Sequence, residues 1–197
     1  MKRHELEHII RAAAAISDSP DLIVVGSQSI LAQVPDAPDE LTASIEADVY
    51  PKNDPERSIL IDGAIGELSI FHQTFGYYAH GVSADTAVLP KGWEGRLVPL
   101  RNENTRGFTG WCLDVHDLAA SKLVAGREKD IQFVSDMFRH GLIDEVTVGA
   151  RLDETAMKSP ECRPRISGML KKILHPTLPA SPAATDEGIG GHGGASL

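Results

Sequence analysis

The feature that most constrains this chain is a short β-branched run that ends at a glycine. Leu22-Ile23-Val24-Val25 is followed at once by Gly26-Ser27, the pattern of a buried strand running into a turn, with Ser27 placed to cap a helix over 28–33. Downstream, Ser44-Ile45-Glu46-Ala47-Asp48-Val49-Tyr50 alternates, and Pro51 ends it. Ile45, Ala47 and Val49 share one face of that segment; Glu46, Asp48 and Tyr50 share the other. Two such strands need a sheet with a covered face. A chain of 197 residues with 42% apolar content is one domain, or one and a small helical annex, with a real core.

Around these strands the pattern is helical at both ends. Leu6, Ile9, Ile10, Ala13 and Ile16 fall at helical spacing, with Lys2, Arg3, Glu5, Glu7 and Arg11 elsewhere, and Ser17-Asp18-Ser19-Pro20 stops the helix. A helix starts near Asp54-Pro55-Glu56, with Pro55 in its first position, and runs through Ile59, Leu60 and Ile65. The aromatic-rich stretch holding Phe71, Phe75, Tyr77 and Tyr78 reads as a turn, then strands over 77–82 and 86–89. Two more strands are expected over 96–101 and 110–114. Helices then follow over 114–125, ending at Gly126, over 128–140, ending at Gly141, and over 145–157 and 164–174. Beyond Pro176 the chain is Pro, Ala, Gly and Ser with little to bury, which reads as a disordered tail.

Composition narrows the function. A formal net charge of −9 argues against a general nucleic-acid coat but not against a local basic pocket. No apolar run approaches the roughly 20 residues of a membrane span. The amino-terminal Met1-Lys2-Arg3-His4-Glu5 carries an acid and no apolar stretch with a cleavage site follows, so a cytoplasmic setting is expected. Two cysteines, Cys112 and Cys162, make neither a disulfide framework nor a complete zinc site. His72, His80, Cys112 and His116 lack close ligand spacing and do not read as a zinc centre.

Glu46 and Asp48 are the sharpest chemical signal. Carboxylates at i and i+2 on one strand point the same way, about 6–7 Å apart. That suits two acids sharing a divalent cation or bridging a pair of cations, with magnesium the natural choice for hard oxygen ligands. The bland alternative is the polar face of an edge strand. A Gly-Ser turn opening a helix on the preceding strand adds a phosphate seat beside the metal seat.

Val25-Gly26-Ser27 followed by Ser44-Ile45-Glu46-Ala47-Asp48-Val49 resembles the signature of polymerase β-like nucleotidyltransferases. The segment Asp117-Leu118-Ala119-Ala120-Ser121-Lys122-Leu123-Val124-Ala125-Gly126-Arg127-Glu128-Lys129-Asp130 is similar to the Lys-x-x-Ala…Arg-x-Lys-Asp motif of minimal nucleotidyltransferases related to bacterial abortive-infection, type IV toxin-like proteins. The resemblance implies an α+β fold, a small mixed sheet flanked by helices. Residues 1–113 would form the core, a helical segment over 114–175 would complete the cleft, and 176–197 would be the tail.

The resemblance also implies roles. Gly26 and Ser27 would hold nucleotide phosphates, Glu46 and Asp48 would bind magnesium, and Lys122 would contact the triphosphate. Asp130 would support the site or the acceptor, the alternative being the cap of its own helix. Arg127 and Lys129 join Lys122 as a phosphate-binding cluster; a solvated helix face is the alternative for Lys122. A third carboxylate, usual on such a fold, would be the general base; Asp85 is preferred over Asp62 and Glu67, against its alternative as a turn residue. Trp93 lies beside a turn and reads as rim packing rather than a base pocket. The first acid is Glu46 where the family usually has Asp; the extra methylene shifts a bound metal by about an ångström, a displacement that can cost ~100-fold in rate. The spacer before it is long and holds Pro35 and Pro38.

The leading expectation is therefore a magnesium-dependent enzyme moving a nucleotidyl group from a nucleoside triphosphate to a hydroxyl acceptor on RNA, protein or a small molecule. The alternative is a weak or inactive nucleotide-binding or toxin–antitoxin-type interaction protein on the same fold. The acceptor, the base preference and the oligomeric state stay open.

Overall fold

The computed structural model describes residues 1–157, 159 and 161–175. The expected tail over 176–197 lies outside them. Helix α1 (Arg3–Ser17) leads to strand β1 (Asp21–Val25), then β2 (Glu46–Pro51), helices α2 (Ser58–Ile65) and α3 (Ile70–Phe75), and strands β3 (Tyr78–Gly81), β4 (Val98–Leu100) and β5 (Thr109–Cys112). Helices α4 (Val115–Ala125), α5 (Glu128–Arg139), α6 (Glu145–Asp153) and α7 (Cys162–Leu174) complete the described chain.

The strands form one mixed sheet in the order β3-β2-β1-β5-β4. β1 runs antiparallel to β2 and parallel to β5, while β2 and β3 are parallel and β4 and β5 antiparallel. This is the α+β architecture expected. Leu22, Ile23, Val24 and Val25 are all buried, because β1 lies at the centre of the sheet. Helix α1 packs on it through Leu6, Ile9, Ile10 and Ala13. Its approach is close: a Cβ at Gly110 on β5 would lie 2.4 Å from Ile10 Cδ1, so any larger residue there would push the Ile10 side chain aside.

Five local expectations are corrected. Ser27 opens a three-ten helix, Ser27–Ala32, and its side chain caps nothing; Ser29 Oγ donates to the Gly26 carbonyl instead, at 2.8 Å. Ile45 precedes β2 and stands 46% exposed rather than on the core face. Glu7, placed off the apolar face of α1, is buried. The stretch read as a turn before Tyr77 holds helix α3, whose amino end Ser69 caps by accepting from His72 N–H at 3.1 Å. Residues 86–89 form no strand. The sheet edge they would extend is covered by α2, whose Asp62 accepts from Gly81 N–H at 3.3 Å.

The helical half follows its punctuation. Asp114 caps α4 by accepting from His116 N–H at 2.9 Å, and Gly126 ends it at φ +67°. α4 packs against α5, α6 and α7, and a single apolar core runs from Leu6 to Leu170. No helix among the described residues is long and apolar enough to cross a membrane.

Candidate functional site

Parallel pairing sets Glu46 opposite Tyr78 and Asp48 opposite His80, so these four side chains share one face at the end of the sheet. The Tyr78 hydroxyl donates to Glu46 Oε2 at 2.9 Å, and His80 Nδ1 lies 3.1 Å from Asp48 Oδ1. Across from Asp48, the β1 turn makes its closest approach. Gly26 holds φ +69°, and a Cβ there would lie 2.2 Å from Asp48 Oδ2. The glycine is therefore required twice, by its backbone conformation and by the carboxylate that fills its side-chain space.

The cations come from the junction of α4 and α5. The left-handed turn at Gly126 folds α5 back so that Asp130, fully buried, faces Lys122. Lys122 Nζ lies 3.2 Å from Asp130 Oδ1 and 4.4 Å above the Phe133 ring. Arg127 Nε lies 2.6 Å from Asp130 Oδ2. Asp130 sits inside the first turn of α5 and is not its cap, a position held by Arg127.

The electrostatics separate the two groups of acids. Burial alone would raise the Asp130 carboxyl, but the Arg127 hydrogen bond and the Lys122 charge outweigh it and hold the group below the usual carboxylate range. Lys122 is pushed below an ordinary lysine by burial, since it shares its one counter-charge with Arg127. Asp48 is pushed up, first by burial and then by the charge of Glu46. Its hydrogen-bonding neighbour is an imidazole rather than a fixed cation. The Tyr78 hydroxyl is pushed up to about 12, by burial and then by its bond to Glu46, and so stays a donor.

These groups line a two-lobed cleft. One lobe, about 360 Å³, is walled by Val25, Val88, Leu118, Val124 and Met157, with Arg165 at its edge. The other, about 460 Å³, is walled by Ser27, Ser44, Glu46, His80, Lys129 and Phe133. Gly26, Asp48, Thr86, Lys122, Arg127 and Asp130 belong to both. Each lobe falls within the roughly 300–1,000 Å³ that accommodates a small ligand.

Every expected site residue but one thus lines the same cleft. Asp85 is the exception: it is exposed on a turn, accepts from the Ser83 hydroxyl and lines neither lobe. Trp93 lines neither lobe and packs against the core. Phe71, Phe75 and Tyr77 gather around His8, away from both lobes. His80, Thr86, Arg165 and Glu40 line the cleft without having been singled out for it. The signal for His80 is Tyr-x-His on the strand beside Glu-x-Asp, at the same spacing; Arg165 and Glu40 carry no local signal.

The acid couple fits a hard divalent cation. It offers oxygen donors, and the nearest cations, Lys122 and Arg127, form their ion pairs with Asp130 rather than with Glu46 or Asp48. Among the described residues no group of three or more His, Cys, Asp or Glu side chains forms a complete metal cage.

A family model described as "Nucleotidyltransferase of unknown function (DUF6036)" matches residues 4–163. No match was found among curated proteins or among solved structures.

Proposed function

The chain belongs to this family of nucleotidyltransferases, and from that premise we propose that it transfers a nucleotidyl group from a nucleoside triphosphate to a hydroxyl acceptor, with magnesium held by Glu46 and Asp48. The observation that carries the reading is the convergence of Gly26, Asp48, Lys122, Arg127 and Asp130 on the residues common to both lobes. One lobe then takes the donor and the other the acceptor, and the reacting atoms meet at the acid couple.

In the reaction the acceptor oxygen bonds to the α-phosphorus while the α-phosphorus–bridging-oxygen bond breaks. Pyrophosphate leaves with the electron pair, and the hydroxyl proton passes to solvent water. Glu46 and Asp48 would hold the magnesium, which when bound would supply charge neutralisation for the triphosphate. Gly26 leaves room for the Asp48 carboxylate beside the phosphates. Lys122 and Arg127 present positive charge to the leaving pyrophosphate, and Asp130 holds both in place before substrate arrives.

A second reading, nucleotide binding without turnover, has one observation in its favour. Apart from Glu46 and Asp48, the carboxylates lining the cleft among the described residues are Asp130, bound by two cations, and Glu40, 3.3 Å from Arg139. A carboxylate base for the acceptor is not evident. Label transfer from an α-labelled nucleoside triphosphate separates the readings. Activity that needs magnesium and falls at least ~100-fold in Asp48→Asn supports the enzyme. Calorimetric nucleotide binding with no product after long incubation supports the second reading, and full activity in Asp48→Asn overturns the metal assignment.

A further inference from the structure

The Glu46 side chain is one methylene longer than aspartate, and a free arm of that length would not hold a carboxylate at one point. The structure shows what restrains it. Tyr78, directly opposite on β3, donates its hydroxyl to Glu46 Oε2 at 2.9 Å. Tyr78 is itself backed: the His72 ring of α3 packs against it in a tilted contact, centroids 4.7 Å apart and planes at 44°. His72 is fixed in turn, because Leu68 N–H donates to its Nδ1 at 3.1 Å. Asp48 is short, abuts Gly26 through Oδ2 and meets His80 through Oδ1. Glu46 Oε1 and Asp48 Oδ2 accept no hydrogen bond from the described residues.

We propose that Tyr78 is a positioning residue for the acid couple: it ties down one oxygen of the longer arm, so that Glu46 Oε1 and Asp48 Oδ2 are the pair presented to a divalent cation. The inference rests on the metal reading above and deepens it. A Glu-x-Asp couple works on this strand because the adjacent strand carries a tyrosine at the matching position. The Glu–Tyr pair replaces, by a longer arm and a tether, what a short aspartate does alone. Hydrogen-bond partners of metal ligands typically contribute 10–100-fold in affinity through such orientation.

Manganese binding to the full chain, by titration calorimetry and by loss of the free-ion electron paramagnetic resonance signal, tests this. Tyr78→Phe keeps the ring and its contact with His72 and removes only the hydroxyl; it is expected to raise the Mn2+ dissociation constant about tenfold with an unchanged melting temperature. Glu46→Asp is expected to bind Mn2+ and to be indifferent to Tyr78→Phe, within about twofold, because the shorter arm does not reach the hydroxyl. An unchanged Mn2+ affinity in Tyr78→Phe overturns the tether. So does an equal loss when Tyr78→Phe is made in the wild type and in Glu46→Asp, which would mean that Tyr78 acts through the fold. Asp48→Asn separates the two claims. If it abolishes binding while Tyr78→Phe has no effect, the tether alone fails; if it binds like the wild type, the metal reading fails and the tether with it.

Discussion

Glu7 and Asp48 are both carboxylates drawn out of water, and their surroundings treat them oppositely. Asn102 and Asn104 donate to Glu7 at 2.7 and 2.8 Å, and Arg3 adds a third bond at 3.2 Å. Burial alone would raise its carboxyl, but these donors outweigh burial and hold it below the usual range. A carboxyl lowered on folding contributes stability that is fully present above its unfolded value of about 4.3. That stability is lost as pH falls through the lower folded value. Glu7→Gln is therefore expected to cost about 1–3 kcal/mol at pH 7, and the gap to the wild type should shrink steadily below about pH 4.3. Urea unfolding of both proteins between pH 7 and pH 3.5 measures it; a gap independent of pH would contradict the assignment. Asp48 has only the His80 imidazole beside it, at 3.1 Å, and is raised rather than lowered, first by burial and then by the charge of Glu46. The local acid-x-acid pattern made Asp48 legible. Glu7 was not, because Asn102 and Asn104 come from a distant loop and nothing near Glu7 announces them.

Elements whose ends carry their own signals were the legible ones. Asp114 and Gly126 bracket α4 where the punctuation placed its ends, and the turn at Gly126 delivers Lys122, Arg127 and Asp130 to one point. The segment between β3 and β4 was not legible, because its β-branched residues met a sheet edge already covered by α2. It runs as a strap instead. Thr86 and Val88 wall the cleft, and the strap is pinned to the residues just past the end of α6 by the Pro90–Thr155 bridge and by Lys91 N–H donating to the Glu154 carbonyl at 3.0 Å. Arg96, at its end, meets the fully buried Asp117 of α4 through two nitrogens, at 2.9 and 3.0 Å. Arg151 of α6 brings Nε within 3.0 Å of the same carboxylate, although its N–H is not aligned for a hydrogen bond. One acid thus anchors strap and helix together. Asp117→Asn leaves two arginines facing a neutral amide and is expected to cost about 3 kcal/mol, with faster amide hydrogen exchange across residues 90–97. Loss of stability with unchanged exchange in that segment would show that the carboxylate supports the helices alone.

At the scale of the whole molecule, the cleft is assembled from stretches that are far apart in the chain: the end of β1, strand β2, the strap, and the junction of α4 and α5. All but the strap carry a short local pattern, and this is why most of the site could be read before the fold was known. The joining groups depend on register and packing: Tyr78 on Glu46 and His80 on Asp48 show only as a Tyr-x-His whose pairing with Glu-x-Asp needs the register, and Arg165 at the rim carries no local pattern. A ligand touching all four stretches cross-links sheet, strap and helices, and must stabilise the folded chain as a unit. At about 100 times its dissociation constant, a non-hydrolysable nucleoside triphosphate analogue contributes about 2.7 kcal/mol. For a domain of this size that corresponds to a rise in melting temperature of about 5–10 °C. The rise is expected only when magnesium is present, because the acid couple repels an uncompensated triphosphate while Lys122 and Arg127 are engaged by Asp130. In Asp48→Asn the magnesium dependence should vanish, leaving whatever binding the cations support alone. A thermal shift of equal size with and without magnesium in the wild type would place the nucleotide away from Glu46 and Asp48, and the two lobes would then have to be read without them.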